Sequence, residues 1–314
     1  MRDTDYAYAV ARIRANETKL LTRQDFDTLL RSESCGQCLA RLADKGWGSP
    51  EQSESELLEA ETAKTWQLVD EVVPDAHAFD SLKIPNDYHN LKAALKARLA
   101  QTEWDSLCMY PVTVEVDLIR EAVDTKNFGL LPDTMAEAAE DAYEALVSWV
   151  DGQRCEMIVD AAALKAAIEA AKPHGGLLLE LAELNAYRAD IRVAVRCARM
   201  KKPKNIIEPA LAECSAIDRE KLADAAAQGE AAVCDYLAQV DKDGAEALRK
   251  SLSAFEKYCG EKLEKRLELA KYDPLGQAPI AAYVCARTEE IRKARLILAG
   301  LRNNVPAERI RELL

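Results

Sequence analysis

The 314-residue sequence has few of the residues that build strands and tight turns. Aromatic residues make up 6% of it, and it holds only 12 glycines and 11 prolines. Ala, Leu, Glu, Lys and Arg dominate instead, and these residues have the highest helix propensities. The composition therefore predicts an all-α protein. Because 49% of the residues are hydrophobic, the chain can bury a substantial core.

Long apolar runs and an N-terminal secretion leader are also missing. No run approaches the roughly 20 apolar residues that a membrane-spanning helix needs, so we expect no direct membrane span. If the protein works at a membrane, other subunits hold it there. The nine cysteines are odd in number and scattered along the chain, which indicates reduced thiols in the cytosol rather than a disulfide framework.

Motifs for catalysis and cofactor binding are absent as well. The sequence has no Walker A loop, no dinucleotide-binding glycine pattern and no G-x-S-x-G, so we expect no cofactor and no ATP hydrolysis by this chain. His77, His89 and His174 each stand alone, outside any Glu-x-x-His pattern. Cys35 and Cys38 have the spacing of a redox pair or half a zinc site, but no second pair follows. We therefore expect that the protein binds no metal ion and is not an enzyme.

Charge is unevenly distributed. The formal net charge of −12 argues against nucleic acid as a partner. Residues 101–185 hold 17 acidic and 5 basic residues, whereas the last third is slightly basic. This asymmetry is typical either of a solvated acidic face or of a molecule with two docking surfaces of different polarity.

Apolar periodicity and capping residues predict a succession of helices. Thr22 with Asp25 indicates one helix start, and Ser49-Pro50-Glu51-Gln52 indicates another. The alternating run VTVEVDLI could form a strand, but its helical surroundings offer no strand partner. The predicted helices are 4–21, a short one after Thr22, 35–45, one ending near Val72, 87–99, 134–150, 160–171, 177–200, 208–213, 218–239, 243–271, 279–301 and a C-terminal one.

A short pattern of polar, apolar, basic, any residue and Ala occurs three times at intervals of 100 residues. It begins at Asn90, Asp190 and Glu290, and a tyrosine precedes each copy. Such short matches also arise by chance in helical sequences. As a true repeat, the pattern predicts three helical domains, at residues 1–105, 106–205 and 206–314.

The stretch from Pro279 to Leu314 reads as two helices joined by a turn. Its first helix presents one apolar face, which only Arg287 interrupts, and Gly300 offers a stop. The face consists of Ile280, Val284, Arg287, Ile291, Ala294, Leu298 and Leu301. Nothing in this stretch resembles a catalytic motif, so we interpret it as a segment that docks.

Basic residues at helical spacing start within each copy of the repeated pattern and continue beyond it. Such stripes are usually solvated helix faces, but their recurrence at one place in the repeat favours docking surfaces, where Arg is a common anchor. The first stripe contains Lys92, Lys96 and Arg98, the second contains Arg192, Arg196 and Arg199, and the third contains Arg292, Arg295 and Arg302. We take Lys92, Lys96, Arg192, Arg196, Arg292, Arg295 and Arg302 as candidate partner-docking residues.

Three segments in order resemble the C-subunit family of V/A-type ATP synthases, whose eukaryotic V-ATPase member is called the d subunit. They are YAYAVARIRANETKLLTRQDFDTLL at 6–30, DYHNLKAALKARL at 87–99, and EEIRKARLILAG with VPAERIRELL near the C-terminus. Together these three segments extend the resemblance over the whole chain.

The resemblance implies three similar helical domains around a central axis, forming a funnel or socket. It also implies a non-catalytic subunit that couples the central shaft to the membrane proteolipid ring and transmits torque for ion transport. The expected location is the cytoplasmic face of the membrane, as a peripheral part of the ATPase complex. The alternative is a helical adaptor or scaffold unrelated to rotary motors, which co-purification with a membrane ATPase would exclude.

Overall fold

The computed structural model describes residues 6–49, 51–148 and 150–314. Within these residues the chain forms sixteen α-helices and no β-strand, which confirms the predicted all-α class. The helices are α1 (Ala7–Glu17), α2 (Arg23–Leu30), α3 (Cys35–Asp44), α4 (Glu54–Val72), α5 (Ile84–Ala100), α6 (Val116–Thr125), α7 (Asp133–Ser148), α8 (Gly152–Ala171), α9 (Gly176–Arg199), α10 (Lys204–Ile207), α11 (Arg219–Gln228), α12 (Glu230–Val240), α13 (Lys242–Lys250), α14 (Leu252–Leu269), α15 (Ala278–Arg302) and α16 (Ala307–Arg311).

The helices pack as two compact units. The first unit combines the described residues up to Ala76 with Leu269–Leu314, and so brings α1–α4 together with α15 and α16. The second unit is the continuous segment His77–Glu268, which contains α5 to α14. The predicted division into three successive domains stays a prediction, because compact packing and repetition of a motif are different properties.

Helix α15 is the central element of the first unit, and it packs against α1, α2, α3, α4 and α16. Its predicted apolar face is confirmed, since every member is buried except the half-buried Leu301. Gly300 does not end the helix, which continues to Arg302. A Cβ atom at Gly300 would collide with the Ile310 side chain, so the glycine allows α16 to approach closely. The core of this unit comprises Leu29, Leu30, Cys38, Leu39, Leu42, Trp47, Leu57, Leu58, Ile291, Ala294, Ile297, Leu298 and Ile310.

The second unit has its main core between α5, α7 and α8, with α6 packed against α5 and α9 against α8. Helix α7 packs closely against α8 and buries small residues, including Ala139 and Ala142. Because alanine lets helix backbones approach closely, these two helices can pack side by side. Helices α11 and α12 pack in turn against α9.

Two predicted helix starts have different outcomes. At Thr22 the predicted capping is confirmed, since its hydroxyl accepts the N–H of Asp25 and the Asp25 carboxylate accepts the N–H of Thr22. The start predicted at Ser49 is wrong, because α4 begins at Glu54 behind Ser53, whose hydroxyl accepts the N–H of Glu56 at 3.3 Å. The role assigned to Pro50 falls outside the described residues. Ser53 and Glu56 form the capping box instead.

Three other predicted helices are wrong in their extent. The helix predicted at 218–239 is divided at Gly229, where φ is +128°, a value that only glycine adopts readily. The helix predicted at 243–271 is divided at Ser251, whose hydroxyl accepts the N–H of Ala254 and so begins α14. Residues 208–213 form a short 3-10 turn and a loop rather than a helix. The run VTVEVDLI forms no strand, and α6 begins within it.

Candidate docking surfaces and a buried charge cluster

Arg287, the charged residue on the apolar face of α15, is buried and fully paired. Its Nη2 lies 2.7 Å from Oε2 of Glu61 on α4, its Nη1 donates to Glu290, and its Nε donates to Oγ1 of Thr65 at 3.3 Å. Its guanidinium carbon lies 4.9 Å from the ring centroid of Trp47. The sequence showed this residue as an interruption but gave no sign of Glu61 and Thr65, which lie more than 200 positions away.

Arg287, Glu61, Thr65 and Glu290 form a buried charge cluster. Its two carboxylates make further contacts within the first unit. Glu61 also accepts the N–H of Gly48 at 3.2 Å and pairs with Lys64 at 2.6 Å. Glu290 accepts the N–H of Leu21, which lies between α1 and α2. Burial raises the pKa of Glu290, while the Leu21 amide and the Arg287 charge oppose this rise. The cluster therefore joins α15 to α4 and to two loops.

A cavity of about 770 Å³ opens beside this cluster in the first unit. Five of its fourteen lining residues are basic, and Arg12, Lys19 and Lys45 are among them. Lys45 is already paired with Asp25 at 2.6 Å, and the one carboxylate of the lining, Glu61, is held by Arg287 and Lys64. Among the described residues, no group of three or more His, Cys, Asp or Glu could hold a metal ion.

The first two basic stripes are largely engaged with acidic neighbours. Lys92 and Lys96 on α5 pair with Asp160 and Glu156 on α8. Arg192 lies 3.9 Å from Glu256. Exposed pairs of this kind contribute little to stability, but they reduce the charge that a partner would meet.

The third stripe is similar. Arg292 pairs with Glu289 of its own helix at 2.7 Å, and Arg302 lies 3.5 Å from Glu54. Arg196 of the second stripe and Arg295 of the third are exposed, and across the parts of the chain that the structure describes neither forms an ion pair. These two arginines are therefore the most available of the seven candidate docking residues.

The first polar residue of each copy of the repeated pattern has the same structural role. Asn90, Asp190 and Glu290 are buried on α5, α9 and α15, respectively, and each accepts a backbone N–H from a distant segment. The donors are Met109, Ala212 and Leu21. The sequence showed these three positions as part of a repeated pattern, but their buried role was not predicted. A polar residue between apolar neighbours on one helix face could have indicated it.

The Cys35–Cys38 pair lies on α3. The Cys38 side chain is buried, and burial raises the pKa of its thiol to about 12. Burial also raises the pKa of Cys35, with a further contribution from Glu54, and the Cys35 thiol donates to the carbonyl of Leu298 at 3.5 Å. Both thiols therefore stay protonated near neutral pH, which disfavours thiolate chemistry.

Comparison with known proteins identifies one family along almost the whole chain. The model of the ATP synthase (C/AC39) subunit family matches residues 9–313. The chain belongs to this family. The resemblance that the sequence suggested is thereby confirmed.

Individual relatives of this C/AC39 family member align almost end to end. The C subunit of the A-type ATP synthase from Desulfurococcus sp. (strain SY) is 27% identical over 332 aligned residues, covering 99% of this chain and 90% of the relative. The C subunit of the V-type sodium ATPase from Enterococcus hirae is 20% identical over 315 residues, covering 96% and 95%. In the described part of this C/AC39 family member, no helix combines the length and the apolar character needed to cross a bilayer.

Asp190 makes the stability of this C/AC39 family member depend on pH. Burial raises its pKa to about 7, against the opposing N–H donors Ala212 and Glu213; the charge of Glu213 adds to the rise and that of Arg219 reduces it. The folded state therefore keeps a proton that the unfolded chain releases near pH 3.9. We expect this carboxyl to lower the free energy of unfolding as the pH rises from about 4 to about 7, by up to about 4 kcal/mol.

Denaturant titrations of the Asp190→Asn variant across this range check the expectation. The variant should show a clearly shallower fall in stability with pH, because its amide does not titrate. The exposed Asp243 serves as the matched control, and Asp243→Asn should leave the slope as in the wild type. Equal slopes in the wild type and Asp190→Asn would contradict the assignment.

Proposed function

We propose that this protein is a non-catalytic subunit of a V/A-type rotary ATPase or ATP synthase. It would couple the central shaft to the membrane proteolipid ring, at the cytoplasmic face, and transmit torque for ion transport. The observation that carries the proposal is the family match from residue 9 to 313, together with relatives named as C subunits of A-type and V-type complexes.

The internal construction of each unit supports a mechanical role. Helices α9 and α15 contain 24 and 25 residues, which corresponds to about 36–38 Å of continuous helix each. Each is tied to a distant segment through a buried side chain, Asp190 in one case and Glu290 in the other. Torque transmission requires stiff elements of this kind, with forces distributed over many contacts rather than concentrated at a catalytic site.

The exposed arginines are the part of the proposed docking surface that can be tested most directly. We expect replacement of Arg292, Arg295 and Arg302 together by Glu to uncouple the complex: ATP-driven ion transport should be lost while ATP hydrolysis continues. The reason is that reversing charges at an interface weakens association and increases its salt dependence. The melting temperature should change little, since these side chains are exposed.

Transport and hydrolysis measured on the same membranes test this prediction. Arg309→Glu is the matched control, because Arg309 is also exposed but lies on α16, outside the stripes. A triple variant that assembles and transports normally, even at high salt, would show that the stripe is a solvated face. A tagged chain that never co-purifies with a membrane ATPase would overturn the proposed function itself and favour the adaptor alternative.

A further inference from the structure

The segment between α5 and α6 exposes apolar side chains although buried anchors bound it on both sides. Trp104 and Val114 are 6% and 8% exposed, respectively, and fix the two ends of the segment. Between them Leu107, Met109 and Tyr110 are 55%, 38% and 60% exposed. We call residues 105–113 the α5–α6 loop. Its three exposed side chains lie within four consecutive positions and form a concentrated apolar tip.

Side chains of α5 hold the backbone of this loop in place. Asn90 accepts the N–H of Met109 at 2.7 Å and donates to its carbonyl at 3.0 Å. Asn86 donates to the carbonyl of Pro111 at 2.8 Å. Asp87 accepts the N–H and the hydroxyl of Thr113 at 2.9 and 2.5 Å. The loop backbone is thus fixed at Met109, Pro111 and Thr113, while Leu107, Met109 and Tyr110 stay exposed.

This combination has a cost that folding alone does not explain. Apolar side chains in water forgo the favourable transfer that burial would give, about 25 cal/mol per Å². A loop whose backbone is already fixed loses little conformational entropy when it binds, so its affinity for a partner is increased. Tyr and Met are also enriched in the cores of protein interfaces. The loop therefore has the properties of a preformed docking element.

Acidic residues lie on both sides of the apolar tip in the sequence. Asp105, Glu115 and Asp117 are exposed; Arg120 pairs with Asp105, and its Nε lies 3.9 Å from Asp117. Burial raises the pKa of Tyr110, and Cys108 together with the negative charges of Asp117, Glu115 and Asp105 raises it further. A rim of negative charge repels the anionic headgroups of a membrane surface. The same rim attracts Lys and Arg on a protein.

We propose that the α5–α6 loop is a preformed docking element for a protein partner whose surface offers an apolar pocket rimmed by Lys and Arg. Leu107 and Tyr110 enter the pocket, and the carboxylates of Glu115 and Asp117 face the basic rim. This surface differs in sign from the basic stripes, so one chain carries two docking surfaces of opposite character. The identification of the partner as another subunit of the ATPase rests on the proposed function. The assignment of the loop as a docking element rests only on its exposed apolar residues and its carboxylates.

Photo-crosslinking of the full chain in intact cells tests the proposal. A benzophenone amino acid at Tyr110 should form one major product, and mass spectrometry should place its attachment in a partner peptide with apolar residues flanked by Lys or Arg. The matched control is the same amino acid at Tyr8, which is 62% exposed but lies on α1. Labelling of lipid alone, or of no protein above the Tyr8 background, would overturn the proposal.

Binding of the purified chain to the identified partner gives the second measurement. The double variant Leu107→Ser and Tyr110→Ser should bind at least about tenfold more weakly and melt as the wild type does, because both side chains are exposed. Raising the salt from about 0.1 M to about 1 M should weaken wild-type binding further, since screening reduces the rim attraction. Equal affinities of variant and wild type would contradict the proposal.

A vesicle-binding experiment distinguishes a lipid partner from a protein partner. Vesicles of phosphatidylcholine and phosphatidylglycerol should not retain the protein in a flotation assay, and retention that depends on Tyr110 would overturn the protein assignment. The identity of the crosslinked partner also separates the two proposals. A crosslinked partner outside the ATPase would support the docking loop but overturn the proposed function. If the chain assembles into an ATPase and position 110 labels nothing, the proposed function is supported and the docking loop is overturned.

Discussion

Replacing Arg287 by methionine is expected to lower the free energy of unfolding of the first unit by about 3–5 kcal/mol. Methionine fills much of the same volume, so the loss comes from charge rather than from a cavity. Without the guanidinium, the buried carboxylates of Glu61 and Glu290 lose their shared cation, and breaking a buried pair from one side costs about this much. The contact of the guanidinium with Trp47 is lost as well. Denaturant titration followed by circular dichroism measures the effect.

Two further variants assign this loss to the cluster. Arg295→Met changes an exposed arginine on the same helix and should cost no more than about 0.5 kcal/mol. Adding Glu61→Gln and Glu290→Gln to Arg287→Met should recover most of the stability, because the glutamines still accept the N–H groups of Gly48 and Leu21 without a buried charge. If Arg287→Met costs no more than Arg295→Met, the cluster does not stabilise the unit.

Replacing Leu298 by aspartate is expected to unfold the first unit altogether. Leu298 is fully buried, in a core that includes Leu42, Leu57 and Ile310. Truncating such a leucine to alanine typically costs about 2–5 kcal/mol, and an unpaired buried carboxylate adds several more. The total approaches the roughly 5–15 kcal/mol that stabilises a typical native protein. Hydrogen exchange read by mass spectrometry should show loss of protection in α3, α4 and α15.

The second unit should keep its protection in α5, α7 and α8, because its core shares no residue with the core of the first unit. Arg295→Asp, one turn earlier on the exposed side of α15, is the matched control and should leave the exchange pattern unchanged. Wild-type protection of α15 in Leu298→Asp would contradict the placement of this residue in the core.

Local rules were sufficient where neighbours along the chain determine the structure. The apolar face of α15 could be predicted because a helix that buries one side repeats its apolar residues every three or four positions. The cap at Thr22 could be predicted because both partners lie within four residues of each other. The same rule gave the wrong start for α4, since Ser49 with Gln52 and Ser53 with Glu56 both fit a capping pattern, and only packing distinguishes them.

Long-range partners could not be predicted in this way. Nothing near Arg287 in the sequence indicates Glu61, and nothing near Lys92 indicates Asp160. The availability of the candidate docking residues was therefore the hardest property to predict, because it depends on which acidic residue the fold brings beside each basic side chain. The α5–α6 loop was missed for a related reason: its exposed apolar residues look like part of a core when read in sequence.

The composition of the first unit has a consequence for synthesis on the ribosome. The leucines of α2, α3 and α4 find their core partners on α15, yet 77–268 must be translated before α15 exists. At about 5–20 residues per second, that segment takes on the order of ten to forty seconds. During this interval the amino-terminal helices have apolar faces with nothing to cover them, and they are natural substrates for a holding chaperone.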